Sequence, residues 1–469
     1  MNPIRPHANK RMLPGILLPL LMALLAAGCA TVEVSRPSAS TGPSHPVMAA
    51  AAELARNDAS LNGPARVDNV RQIERLLAGL DNATLTRETA ALPPGDPLYN
   101  FAGRAMLNRG LPLPHPFERG GNWQFNAGSR PPAEADGYRP PLKLAVLLPQ
   151  SGAMATAAAP VRDGLLAGYY AETRRRPEIA FYDTQGTANG AIAAYGMAVA
   201  GGADFVLGPL DRSAVSALFG QPLSVPVLAL NRGTTPPPGG SASFSLAPED
   251  DGIAAAEFLL DRNVRRVLVL SGGDDSMRRA ASAFREQLQS RGGVVVDTLT
   301  VIGDKPDMTA ALSAAARAEG GIDAVFLALR ASQARIVAPQ LSLAGLGGKP
   351  RVATSQLGSG TGKAEDNRVL DGIAFPTEAW GVRGVSGLPS AASAAEMLPS
   401  ARGPAAKLFA FGYDAWLLTA YMERLATSAG DVRGATGTLS IDGFGNVVRS
   451  PAWSTFSGGN VVPLADDGG

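Results

Sequence analysis

Nucleophilic and metal chemistry in proteins leans on His and Cys, and this sequence is nearly without them. The three His are His7, His45 and His115, and the one Cys is Cys29. From residue 116 to the end there is neither. A Ser-His-Asp or Cys-His system cannot be assembled there, nor an imidazole-ligated metal site, and a lone Cys makes no internal disulfide. No catalytic residue, metal ligand or cofactor site is therefore assigned. Gly358-Ser359-Gly360-Thr361-Gly362-Lys363 has the look of a phosphate loop. Leu357 stands where the first Gly belongs, however, and Ala364 where Ser or Thr would hold magnesium. Asp250-Asp251 and Asp274-Asp275 could be paired carboxylates, but each sits at an expected helix start. There acidic residues complement the helix dipole, and capping is the reading preferred. Trp380, Trp416 and Trp453 read as core anchors rather than a sugar platform.

What remains as candidate chemistry is polar residues at the ends of apolar runs. Pockets of open parallel sheets lie outside the carboxyl ends of the strands. Those ends carry Gln150, Ser151, Gly208 and Asn231 in one half of the chain and Ser271, Gly272, Arg330, Ser355 and Gln356 in the other. If two lobes face each other, these nine residues line the cleft. The same residue types also make turns and caps, and that use is the commoner.

The elements needed to place them are legible. Leu142–Leu148, Ile179–Tyr182, Phe205–Leu207 and Val225–Leu230 are short apolar strands, each followed or preceded by a helical stretch. The beat repeats with Val267–Leu270, Val294–Thr298, Ala324–Leu329 and Arg351–Thr354. Such alternation predicts parallel sheets with helices on both faces. A long helix over Pro404–Thr427 and a hairpin pattern from Thr438 to Val447 close the chain. The fold class is α/β, and two lobes with several crossings fit better than one very wide sheet. Lobe 1 is placed at about 142–246 plus 378–436, lobe 2 at about 249–375 plus part of the tail, within a domain spanning 142–464.

Before that domain the chain is heterogeneous. Arg5, Lys10 and Arg11 precede an apolar run from Ile16 to Ala27, the pattern of a secretory signal over residues 1–29. Residues 30–64 read as a disordered tether, although Met48–Asn57 is Ala-rich enough for a helix. Residues 65–115 form a short helical segment, with Val67, Val70, Ile73, Leu76, Leu77 and Leu80 on one face. Residues 116–141 read as a Pro-rich linker. Lys+Arg 42 against Asp+Glu 41 leaves a net charge of +1, which gives no sequence-independent grip on nucleic acid.

Two resemblances add to this. Leu25-Ala26-Ala27-Gly28-Cys29 resembles the bacterial lipoprotein cleavage box, which makes Cys29 the acylated first residue of a mature chain. Ala30, not being Asp, implies sorting to the outer membrane. The family's usual Leu three residues before Cys lies one place further back here. From Leu142 onward the chain resembles type I periplasmic binding proteins. The residues that carry this are Leu144-Ala145-Val146-Leu147-Leu148-Pro149-Gln150-Ser151-Gly152, Gly208-Pro209-Leu210 and Phe411-Gly412-Tyr413-Asp414-Ala415. Within that group it is similar to the penicillin-binding protein activators, the LpoA-like lipoproteins, with Asn231 after the fourth strand and a close running through Arg449 and Trp453 to Val462-Pro463-Leu464. The resemblance implies a regulator without catalysis: an outer-membrane, periplasm-facing lipoprotein near peptidoglycan that binds and stimulates a class A bifunctional penicillin-binding protein. No docking surface carries over residue by residue. Larger family members place a long helical-repeat domain ahead of this fold, and here only about a hundred residues stand in its place. The alternative is a lipid-anchored solute receptor of an uptake system. Against it, Pro and Leu crowd the strand ends at Gln150-Ser151 and Gly208-Pro209-Leu210.

Overall fold

A computed structural model describes residues 43–464, apart from 62, 108, 110, 116–129, 359–361 and 428–429. Cys29 and the signal pattern lie outside the described residues, as do residues 359–361 of the Gly358–Lys363 loop.

Four helices open the described chain: α1 (Pro46–Asp58), α2 (Gly63–Ala78), α3 (Asn82–Ala90) and α4 (Leu98–Leu107). They enclose a core of their own, in which Met48, Ala51, Ala52 and Ala55 meet Ile73, Leu77, Leu85 and Tyr99. The stretch expected as tether over 30–64 thus holds a packed helix. Met48, Ala51, Ala52 and Ala55 recur at three and four residues, and their small side chains let α1 approach closely. Glu88 secures its start by accepting from Ser44 N (2.8 Å), Ser44 Oγ (2.7 Å) and His45 N (3.0 Å). Asp81-Asn82, just past the apolar face that ends at Leu80, opens a further helix. Asp81 is the cap of α3, accepting from Thr84 N at 2.9 Å.

The first lobe is a five-stranded parallel sheet ordered β2-β1-β3-β4-β5, built from β1 (Lys143–Leu148), α5 (Ala155–Ala171), β2 (Glu178–Asp183), α6 (Ala188–Ala200), β3 (Phe205–Leu207), α7 (Arg212–Phe219), β4 (Val227–Ala229) and β5 (Ala242–Ser243). The chain then enters the second lobe: α8 (Pro248–Leu260), β6 (Arg266–Gly272), α9 (Asp275–Ser290), β7 (Val294–Val301), α10 (Thr309–Ala315), β8 (Ala324–Ala328), α11 (Ala331–Leu343), β9 (Arg351–Ala353), α12 (Ala364–Asn367) and β10 (Ile373–Thr377). It returns to lobe 1 with α13 (Ala379–Arg383), α14 (Ala391–Met397), α15 (Ala405–Thr427) and a small antiparallel sheet of β11 (Val432–Arg433), β12 (Thr438–Ile441) and β13 (Val447–Ser450). Last come β14 (Ala452–Ser457) and β15 (Asn460–Pro463), which pair antiparallel onto the edge of the second sheet at β10. The second sheet is therefore mixed rather than parallel throughout, because the tail arrives as a hairpin instead of through a crossover helix. Its order is β15-β14-β10-β9-β8-β6-β7. Three crossings join the lobes, near 247, 378 and 451.

The stretch 130–141, expected as linker, is strapped to lobe 1. Arg130 pairs with Asp204 at 2.8 Å and Arg139 with Glu423 at 2.7 Å. Tyr138 is buried, edge-on to Tyr421 and under the guanidinium of Arg174. Proline keeps this strap extended, and its carbonyls accept from Arg175.

Glycine sets the tightest packing. A Cβ on Gly164 of α5 would stand 1.9 Å from the Phe409 carbonyl of α15, and one on Gly412 would stand 1.9 Å from the Val161 carbonyl. The two helices thus cross backbone to backbone. In lobe 2, Gly252 of α8 meets the Ala280 carbonyl of α9 in the same way, at 2.1 Å.

Candidate functional site

The carboxyl ends of the strands turn toward the lobe boundary, but they do not all meet. Gln150 N (2.8 Å) and Ser151 Oγ (2.7 Å) both donate to Asp183, which also accepts from Gln185 N. The Ser151 hydroxyl, first among these, holds the Asp183 carboxyl below its usual range. Gly208 has φ +103°, and a Cβ there would stand 2.1 Å from the Leu147 carbonyl. Ser271 is buried and donates to the carbonyl of Gly272. Arg330 pairs with Asp274 at 3.3 Å while staying largely exposed. These six positions are occupied by turn, cap and backbone duties.

Asn231, Ser355 and Gln356 do reach the boundary. Asn231 donates to the Leu210 carbonyl and lines a cavity of about 280 Å³ with Leu246, Pro248, Arg279 and Phe411. Ser355 and Gln356 line a smaller one, about 40 Å³, with Met277 and Lys407. Lobe 1 and lobe 2 residues face each other across both.

Between them runs an ionic network that strand-end reasoning missed. Asp250 and Asp251 lie in the first turn of α8, whose N-cap Ala247 offers no side-chain bond. Both acid pairs sit at helix starts as expected, and Asp274 is a true cap, accepting from Met277 N at 3.0 Å, but Asp250 and Asp251 also reach beyond their own helix. Asp250 takes Arg232 of lobe 1 at 2.9 Å. Asp251 accepts from Ser355 N (2.9 Å) and Oγ (2.6 Å), with Arg449 of β13 at 3.7 Å. Lys407 of α15 donates to Ser355 Oγ at 2.9 Å and faces Glu378 at 3.6 Å. Burial pushes the Asp250 carboxyl up against the pull of Arg232 and Arg449. Each of the three crossings has one of these charges beside it. The signal in the sequence was the acid pair itself, set behind Ala247-Pro248 with no Ser or Thr cap, and Arg232 directly after Asn231.

A second buried acid serves lobe 1 alone. Asp414, fully buried in α15, accepts from Ala435 N, Thr436 N and Thr436 Oγ1. Burial raises its pKa to about 6 despite those donors. Among the described residues no helix is long and apolar enough to cross a membrane.

Two Rossmann-like lobes, three crossings and a polar boundary at the strand ends define a protein of the type I periplasmic-binding-protein fold. More narrowly, the chain belongs to the LppC putative lipoprotein family, which matches residues 138–459. It is 26% identical over 330 residues to the penicillin-binding protein activator LpoA of Dickeya chrysanthemi, covering 61% of this chain and 47% of that protein. The LpoA of Photobacterium profundum is 27% identical over 363 residues, covering 69% and 57%. The chain spans about half the length of these curated relatives. Among solved structures, full-length LpoA of Haemophilus influenzae superposes with a TM-score of 0.60 at 19% identity, over 90% of this chain and 78% of that one. A putative branched-chain amino acid ABC transporter from Chromobacterium violaceum superposes with a TM-score of 0.55 at 28% identity, over 67% of this chain and all of that one. These likenesses bear out the fold expected from the sequence.

Proposed function

We propose that this chain is an envelope lipoprotein that binds a class A bifunctional penicillin-binding protein and stimulates its peptidoglycan synthesis. The observation that carries the reading is the family match across the two-lobed domain, whose curated relatives are named penicillin-binding protein activators. Those relatives are named for acting on another protein, and the boundary between the lobes is consistent with that role. Its charges pair with one another at Arg232–Asp250, Arg449–Asp251 and Lys407–Glu378, which favours a rigid docking body over an open ligand trap. In this reading Cys29 carries the acyl groups and holds the chain at the periplasmic face of the outer membrane, close to peptidoglycan. The test is glycosyltransferase and transpeptidase rates of the organism's purified class A synthases, with and without residues 30–469. The expected outcome is a rate increase and co-purification with at least one of them. Unchanged rates with every synthase would refute the proposal. Cys29→Ser is expected to leave the domain folded but move it from the outer-membrane fraction to the soluble one, read by fractionation and circular dichroism.

A second reading, a solute receptor, draws on the Chromobacterium violaceum structure. It requires saturable stabilisation by a free amino acid, rising with ligand concentration in thermal melts. Asn231, Arg279 and Phe411 around the larger boundary cavity would then form the ligand's walls.

A further inference from the structure

The four-helix segment rests on lobe 1 along a seam of its own. Arg66 donates to the Pro237 carbonyl, Phe101 meets Phe444 edge-on at 6.4 Å, and the Arg104 guanidinium lies 3.8 Å over the Phe444 ring. Among the described residues the seam is not filled. Two adjoining cavities of about 270 and 370 Å³ share Val70, Arg104, Pro236, Pro237 and Phe444 as walls.

The charges along the seam are unequal in their commitments. Arg66 is spent on Asp58 (2.9 Å) and Pro237. Asp96 accepts from Leu98 N at 2.8 Å. Asp442 accepts from Phe444 N, Asn446 N and Asn446 Nδ2. Arg71 reaches Asp68 at 3.5 Å on the exposed side. Arg104 differs: among the described residues it makes no hydrogen bond and no ion pair, and its one close partner is the Phe444 face. Its charge is attracted by Asp442 and Glu74 without contact, and burial works against it. A guanidinium held over a ring face by its carbon still has N–H groups to offer sideways, past the ring, and a guanidinium edge takes a carboxylate with two parallel bonds. Around that edge stand Phe101, Pro236 and Pro237, while Gly239, Gly240 and Gly443 bring backbone to the cavity with no side chain over it.

We propose that the seam between the helical segment and lobe 1 is a binding site for a small peptide-like carboxylate, its carboxylate on Arg104 and its apolar, amide-bearing body against Phe101, Phe444 and the Pro236-Pro237 wall. A body of one or two residues matches the space, which sits at the low end of ordinary ligand pockets of roughly 300–1,000 Å³. The site stands independently of the activator reading, since no residue of the interlobe network other than Arg232 borders it.

The test is calorimetric titration of the whole lipid-free chain, residues 30–469, with N-acetyl-alanyl-alanine, its C-terminal amide and inorganic phosphate. The acid is expected to bind saturably and the amide about tenfold or more weaker, the loss of one charge-assisted contact. Arg104→Met removes the guanidinium while keeping an unbranched apolar side chain, and should weaken the acid to the level of the amide. Glu74→Gln removes an acid whose charge attracts Arg104 and that, among the described residues, makes no ion pair, and should tighten it. The proposal is overturned if acid and amide bind alike, if neither binds at millimolar concentration, or if phosphate binds as well as the peptide acid. Should Arg104→Met fail to fold, Glu74→Gln decides: an unchanged or weakened affinity for the acid refutes the assignment.

Discussion

Asp414 shows how one side chain can carry a family signature for structural reasons. The motif Phe411-Gly412-Tyr413-Asp414-Ala415 reads as a label in the sequence, and in the fold each of its distinctive members has a task. Phe411 stacks on Phe244 with ring centroids 4.4 Å apart, Gly412 admits the backbone of α5, and Asp414 clamps the Gly434–Thr436 turn. Asp414→Asn would turn an amide N–H₂ toward groups that themselves donate, an expected cost of about 1–3 kcal/mol at neutral pH in denaturant unfolding. The pH dependence has a definite sign. Because the folded pKa of about 6 lies above the ordinary 3.8, the folded state holds this proton more tightly. The group's contribution is therefore most favourable below about pH 4 and falls as pH rises through 6. The penalty of Asp414→Asn should accordingly be larger at pH 4 than at pH 7, by something on the order of 2–3 kcal/mol. A penalty that grows with pH would contradict the assignment.

At the level of elements, the helix pairs of both lobes depend on glycine at the point of closest approach. Gly164→Ala and Gly412→Ala each place a methyl group 1.9 Å from a carbonyl of the facing helix, and relief requires moving a backbone. Each is expected to cost about 3 kcal/mol or more in thermal or denaturant unfolding. Gly168→Ala meets the Trp416 ring at 2.5 Å, a side chain with some room to yield, so its cost should be smaller. Gly196→Ala in α6 meets nothing within 4 Å and should stabilise by about 0.5–1 kcal/mol. Periodicity made many of these elements readable: β3 falls on Phe205–Leu207, as the apolar pattern predicts. It failed where tertiary contacts decide. β10, β14 and β15 have little periodicity of their own and are strands because they pair with each other and with β9. The 130–141 strap reads as linker because proline dominates its composition, whereas its order comes from Arg130, Tyr138 and Arg139. Of the nine strand-end positions, Asn231, Ser355 and Gln356 reach the lobe boundary. Ser151, Ser271 and Arg330 have their polar groups taken by Asp183, the Gly272 carbonyl and Asp274, partners that no local spacing reveals.

For the molecule as a whole, the boundary between the lobes is the mechanical question. Arg232–Asp250 and Arg449–Asp251 tie β13 and the strand-end loop of lobe 1 to the first turn of α8. Asp250→Asn leaves Arg232 without its counter-charge and should destabilise by about 3 kcal/mol, the lower part of the range for breaking a buried pair, since Arg232 is partly exposed. Arg232→Met with Asp250→Asn together should cost less than the sum of the two, the mark of a direct coupling in a double-mutant cycle. The same double variant should widen the small-angle scattering profile if the pair holds the lobes together, and strict additivity with an unchanged profile would remove that role from it.

The route of the chain has a further bearing, on what happens to an incomplete polypeptide. Helix α15 is the second half of the glycine crossing in lobe 1, and β14 covers the open edge of β10 in lobe 2. Both arrive after residue 404. During synthesis, neither lobe can be finished until residues 405–457 have emerged. A chain broken off at Gly403 would expose the bare face of α5 and an unpaired strand edge at once, a template for association with other chains. Truncation late in the gene should therefore yield a protein that is cleared or aggregated as a whole, not one healthy lobe with a missing tail.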